Sequence, residues 1–114
     1  MRRLVGAVII IVALLSAAVA QSIPSSGAEI RRAFSGRTMS GTEKGERYSE
    51  RLMPDGYIIG TASGEQYEGE WSVDGDEICF EYEDEPEDCS QVIVKGNSVT
   101  FLGEGGRNTK ATLR

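Results

Sequence analysis

From Arg37 to the C-terminus the chain alternates apolar and polar positions in short runs, and Gly, Asn or Asp closes most of them. A period of two marks strands with one buried face. The clearest run is Tyr67 to Val73, where Tyr67, Gly69, Trp71 and Val73 face one way and Glu68, Glu70 and Ser72 the other. Asp74-Gly75 follows as a hairpin turn. Ile78, Phe80 and Tyr82 then point inward, with Glu77, Cys79 and Glu81 outward. Past an acidic turn, Val92 and Val94 are inward, Gly96-Asn97 turns, and Val99 and Phe101 continue the inner face. Gly103 to Gly106 is a flexible link before a last inward set of Thr109, Ala111 and Leu113. Upstream, Arg37 to Thr42, Arg47 to Met53 and Tyr57 to Thr61 read as three more strands, with Pro54-Asp55-Gly56 as a turn.

No helical segment separates these runs, so parallel crossovers are excluded. About eight strands in sequential hairpins, each with one apolar face, need closure or a second sheet. The expectation is an all-β domain: an eight-stranded antiparallel up-and-down meander closing into a small lipocalin-like barrel. A flattened, partly open sandwich is the alternative. One short helix precedes it. Ser26-Gly27-Ala28-Glu29 fits a capping box, Ile30, Ala33 and Phe34 share one face, and Gly36 is placed to end the helix. The helix, about Gly27 to Ser35, is expected to pack as a lid across one barrel end.

Ahead of that helix, Arg2 and Arg3 precede an uncharged apolar run from Leu4 to Leu15, and Ala18-Val19-Ala20 offers a small-residue cleavage site. This is the layout of a secretory signal peptide. The expected organisation is therefore a signal peptide over 1–20, a lead-in and short helix over 21–36, and the barrel over 37–114. An uncleaved anchor from Leu4 to Ala20 is the competing reading, at the short end of a membrane span and with no basic flank behind it. A lipoprotein would need a Cys directly after the signal, and the first is Cys79. A periplasmic or secreted location follows, without a stable membrane anchor after cleavage.

Export makes the two cysteines legible. Cys79 and Cys89 allow one pairing, and an oxidising compartment favours a disulfide. It would close a loop of about ten residues, worth roughly 2.5–3 kcal/mol by chain entropy. A reactive thiol would need a base or cation nearby, yet the chain has no His and both cysteines sit among acids. If Cys79 lies opposite Cys89, Glu81 faces Glu87, Glu77 faces Gln91, and the bridge lies on the outward face, where it offsets that repulsion.

Charge narrows the partners. Arg2 and Arg3 leave with the signal, so ten basic residues face 18 acidic ones. Leu52 to Val94 contains no Lys or Arg and 13 acidic side chains. Nucleic acid is a poor partner and an anionic membrane surface is disfavoured, since both need a basic patch. A serine triad and a His-based zinc site need imidazole, and Gly103-Glu104-Gly105-Gly106 lacks the Lys and the helix of a phosphate loop. No catalytic residue, cofactor or metal ligand is assigned, and the chain is read as no enzyme. The densest cluster is Glu81, Glu83, Asp84, Glu85, Glu87 and Asp88, six acids in eight residues. It lacks the alternating ligand spacing and turn glycine of a calcium loop and reads as a solvated hairpin tip or an interaction surface for a basic protein. Glu50 stands apart. It alternates with Tyr48 and Leu52 on the inward face, where a carboxylate needs a tyrosine hydroxyl or an Arg as partner, unless a local irregularity turns it to solvent.

Tyr67-x-Gly69-x-Trp71-x-Val73, then Ile78-Cys79-Phe80, Cys89 and a Gly-Asn turn, with Tyr48-x-Glu50 and Pro54-Asp55-Gly56 upstream, resembles a group of small exported bacterial β-domains of unknown function. The resemblance covers about Gly36 to Phe101. It implies a periplasmic β-protein and carries no catalytic residue over. Two functional expectations follow. The first is a monomeric, non-enzymatic binding protein that docks a basic envelope protein through the acidic hairpin. The second is a carrier of a small apolar ligand in a lumen lined by Trp71, Phe80 and Phe101.

Overall fold

Turn chemistry sets the meander. In the computed structural model, which describes residues 23–114, Lys44-Gly45 and Ser63-Gly64 have positive φ at both residues, the twist that a two-residue hairpin requires. They join β1 (Thr38–Glu43) to β2 (Glu46–Leu52) and β3 (Tyr57–Ala62) to β4 (Glu65–Asp74). Gly75-Asp76 joins β4 to β5 (Glu77–Tyr82), one residue later than expected, because Asp74 itself pairs with Glu77. Gly96-Asn97 joins β7 (Val92–Lys95) to β8 (Ser98–Phe101) as expected. The expected signal peptide, Met1 to Ala20, lies outside the described residues.

The strands form one antiparallel sheet in the order β6-β5-β4-β3-β2-β1-β9-β8-β7, where β6 is Asp88–Ser90 and β9 is Thr109–Leu113. Pairing of β9 with β1 curls the sheet into a nearly closed barrel. Among the described residues nine strands stand where about eight were expected. The sixth is broken at Gln91: its first part pairs with β5, and its second part pairs with β8. The lead-in occupies the place where β7 leaves β5. The Ser25 N–H donates to the Val92 carbonyl (2.8 Å), and the Val94 N–H donates to the Ser25 hydroxyl (3.0 Å).

The inner faces run as the alternation predicts. Leu52, Ile58, Ile78, Val92, Val99 and Leu113 are fully buried, joined by Ile30 and Phe34 from the helix. That helix, α1, spans Gly27–Phe34 behind a complete Ser26/Glu29 capping box, and Gly36 follows with φ +76°. It lies against β4, β5 and β7. Gly27 makes the approach possible: a Cβ there would sit 2.1 Å from the Gly75 carbonyl oxygen. The helix thus plugs the end of the barrel that carries the β4–β5 turn. Among the described residues no helix is long and apolar enough to cross a membrane.

Cys79 and Cys89 are directly opposed and disulfide-bonded. Alternation puts the bridge on the outer face, yet Cys79 is itself buried. The β5–β6 ladder runs only from Ile78 opposite Ser90 to Phe80 opposite Asp88, so the expected pairings of Glu81 with Glu87 and Glu77 with Gln91 do not form. Positive φ at Asp84 and an N–H from Glu85 to the Tyr82 carbonyl mark where the chain turns away.

Candidate functional site

Opposite the helix, the inner face changes character. In β2 the residue two positions before Leu52 is Glu50, and it points into the barrel at 5 % exposure. It is the one acidic side chain buried among the described residues. Its partners are tyrosines, one of the two classes expected. The Tyr67 hydroxyl donates to Oε2 at 2.6 Å, and the Tyr82 hydroxyl lies 2.8 and 2.7 Å from Oε1 and Oε2.

Three glycines set this cluster. Gly41 is opposite Tyr48, Gly60 opposite Tyr67, and Gly69 opposite Tyr82. A Cβ at Gly41 would lie 2.8 Å from the Tyr48 hydroxyl oxygen, one at Gly60 2.5 Å from the Tyr67 ring, and one at Gly69 2.6 Å from the Tyr82 ring. Each tyrosine therefore lies along the neighbouring strand where a side chain is missing, a packing known to steady glycines in sheets. Rings that lie along the wall leave the lumen free and bring two hydroxyls onto one carboxylate. Tyr67 and Tyr82 also meet edge to face at 5.8 Å. Phe80 and Phe101 add an aromatic wall, with ring centres 6.0 Å apart.

Burial governs the protonation of the cluster. It raises the Glu50 carboxyl above the ordinary value, against the two tyrosine hydrogen bonds that stabilise the anion. Burial, then the charges of Glu50 and Glu43, push Tyr48 up to about 12. Tyr67 and Tyr82 are raised further, by burial first and then by the adjacent Glu50. All three phenols are neutral donors across the physiological range. Chemically the site offers one carboxylate, which holds a proton or a cation, and neutral hydroxyls that orient it.

The hollow above Glu50 opens at the end opposite the helix. It continues over the rim onto outer β4 and β5 as an open hollow of about 1650 Å³ in all. Of the predicted interaction residues, Glu83, Asp84, Glu85 and Asp88 line it, Glu81 joins where it passes over the rim, and Glu87 does not. Two further acids complete the mouth, Glu43 and Glu46, which are paired across the β1–β2 turn. Among the described residues no Lys or Arg lines the hollow. Glu46 also accepts a hydrogen bond from Ser63, and Glu68 accepts one from Tyr57. The lumen differs from the apolar one expected. Phe80 and Phe101 line it, but Trp71 does not, because its ring N–H donates to the Met53 carbonyl (2.8 Å) and fixes it in the core.

Glu87 and the two cysteines come close enough to suggest a metal site, but bridged sulfurs have no thiolate to offer a metal. The glycine–tyrosine pairing was not anticipated from sequence, although glycine at an inward position between Ile58 and Ala62, and between Tyr67 and Trp71, was its visible trace. Compared with protein-family models, curated proteins and solved structures, the chain finds no match.

Proposed function

We propose that this chain is an exported, non-enzymatic binding protein that docks a cationic partner on the acidic open end of its barrel. One observation carries the reading: Glu43, Glu46, Glu83, Asp84, Glu85 and Asp88, from two separate segments of chain, border a single opening that no basic side chain among the described residues lines. A surface of one sign attracts the opposite sign and orients its approach. The disulfide is compatible with an exported protein, since such bonds persist in oxidising compartments. The apolar-carrier reading draws less support, because an apolar ligand would have to cover the carboxylate and hydroxyls of Glu50, Tyr67 and Tyr82 without replacing their hydrogen bonds.

The test is capture of basic envelope proteins by the purified protein and by a variant with Glu83, Asp84, Glu85 and Asp88 changed to amides. The parent should retain a basic protein at low ionic strength and release it as salt is added. Retention by both proteins alike, or retention that salt leaves unchanged, would remove the acidic end from the account.

A further inference from the structure

Beyond surface docking, the interior of the open end has the parts of a cation cage. Glu50 accepts hydrogen bonds from two tyrosine hydroxyls, while an ionised carboxylate has about four lone-pair sites to fill. Among the described residues, no ammonium or guanidinium lines the hollow it faces. Its remaining acceptor capacity thus points into a space walled by the rings of Tyr48, Tyr67, Phe80, Tyr82 and Phe101. Aromatic faces attract a cation through their quadrupole, most strongly where water is displaced, and such cages suit alkylated ammonium groups. A small inorganic ion would fit poorly, because a single carboxylate leaves most of its coordination sphere empty.

We propose that the lumen binds an organic ammonium group, seated on Glu50 and enclosed by the tyrosine and phenylalanine rings. This deepens the docking proposal and rests on it for the acidic mouth that would gather such cations. The ammonium comes either from a free small molecule or from a lysine side chain of the docked partner. The chemistry in the cup is the same, and the rim acids act outside it.

The experiment is an NMR titration of the purified protein with choline, with choline's uncharged carbon isostere dimethylbutanol, and with N-acetyl-lysine amide. Choline should move the Tyr67 and Tyr82 ring signals and the Gly60 and Gly69 amides, at affinity about tenfold or more above dimethylbutanol. Glu50→Gln should remove that preference while its amide spectrum shows an intact fold. Tyr82→Phe, which deletes only a hydroxyl, should weaken choline binding, and Glu87→Gln, outside the hollow, should not. Choline bound above N-acetyl-lysine amide assigns the site to a free small molecule, and the reverse order assigns it to a partner's lysine. Equal binding of choline and dimethylbutanol would overturn the cation site and leave an apolar lumen. If no probe binds while basic proteins are still captured in a salt-dependent way, the cage falls and the docking proposal stands. If capture fails as well, both fall.

Discussion

Burying Glu50 without a cation costs free energy that two tyrosine hydroxyls offset only in part, and that imbalance has a signature in pH. Burial lets the native state hold the Glu50 proton to a higher pH than the unfolded chain does. Between the ordinary carboxylate value and the raised one, the folded protein binds more protons than the unfolded chain. Stability is therefore greatest below that window and falls as pH rises through it. Glu50→Gln keeps the shape and fixes a neutral group. Urea midpoints of parent and variant should draw apart with rising pH, the variant gaining; parallel curves would mean that Glu50 ionises in the fold as easily as in water. The glycines give a second residue-scale prediction. Gly60→Ala puts a methyl 2.5 Å from the Tyr67 ring position, so the ring must swing off the wall and away from Glu50. The expected cost is about 1–3 kcal/mol, with a shift of the Tyr67 ring signals in NMR; an unmoved ring would refute the packing account. The inward aim of Glu50 was legible in Tyr48-x-Glu50-x-Leu52, because alternation is local. Which residues meet it was not. Tyr82 is 32 positions away, and only the strand register brings it opposite Gly69.

The same divide separates the elements. The helix was readable nearly to its ends, since its cap, its apolar stripe and its terminating glycine lie within eleven residues, Ser26 to Gly36. The break at Gln91 was not, because nothing within Asp88 to Lys95 states that one half pairs with β5 and the other with β8. The two devices that hold these elements should differ in weight. Ser26→Ala removes the hydroxyl that accepts from the Glu29 N–H and should cost about 1 kcal/mol. Gly27→Ala should cost more, since its Cβ meets a backbone oxygen that cannot swing aside and lifting the helix uncovers Ile30 and Phe34. The disulfide holds a three-residue strand, β6, to its neighbour. Replacing both cysteines with Ser should lower stability by roughly 2–3 kcal/mol, measured as the urea midpoint of the variant beside the oxidised parent. A variant as stable as the parent would show that the β6 pairing stands without the bridge.

Across the whole molecule, negative charge opposes the fold it decorates. Among the described residues three cross-strand pairs set acid directly against acid: Glu43 and Glu46, Glu70 and Glu81, and Asp74 and Glu77. Like charges in that position repel by an amount comparable to what a favourable pair contributes, roughly 0.2–1 kcal/mol each, and the segment from Leu52 to Val94, which holds the last two pairs, has no Lys or Arg to intervene. The acidity was plain from composition, but the meeting of Glu43 and Glu46 with Glu83, Asp84, Glu85 and Asp88 at one barrel end was not, since it depends on where the helix docks and which turns lie opposite it. If this repulsion outweighs the other effects of salt, sodium chloride should stabilise the protein. The gain should be complete once the screening length falls below the pair spacing, which happens within a few tenths molar, where the Debye length is about 3–8 Å. Sulfate at matched ionic strength should then do little more than chloride in this range, whereas stabilisation through strengthened apolar burial would favour sulfate and keep growing with concentration. Glu70→Lys isolates one pair. It turns the contact with Glu81 attractive on an outward position of β4, so it should raise the urea midpoint at low salt, and the difference from the parent should shrink as salt is added. A gain that persists undiminished at high salt would trace to strand packing and not to charge. The acids that make this end a surface for a cationic partner would then carry no cost in stability, and a bound cation would stabilise the fold only through its own contacts.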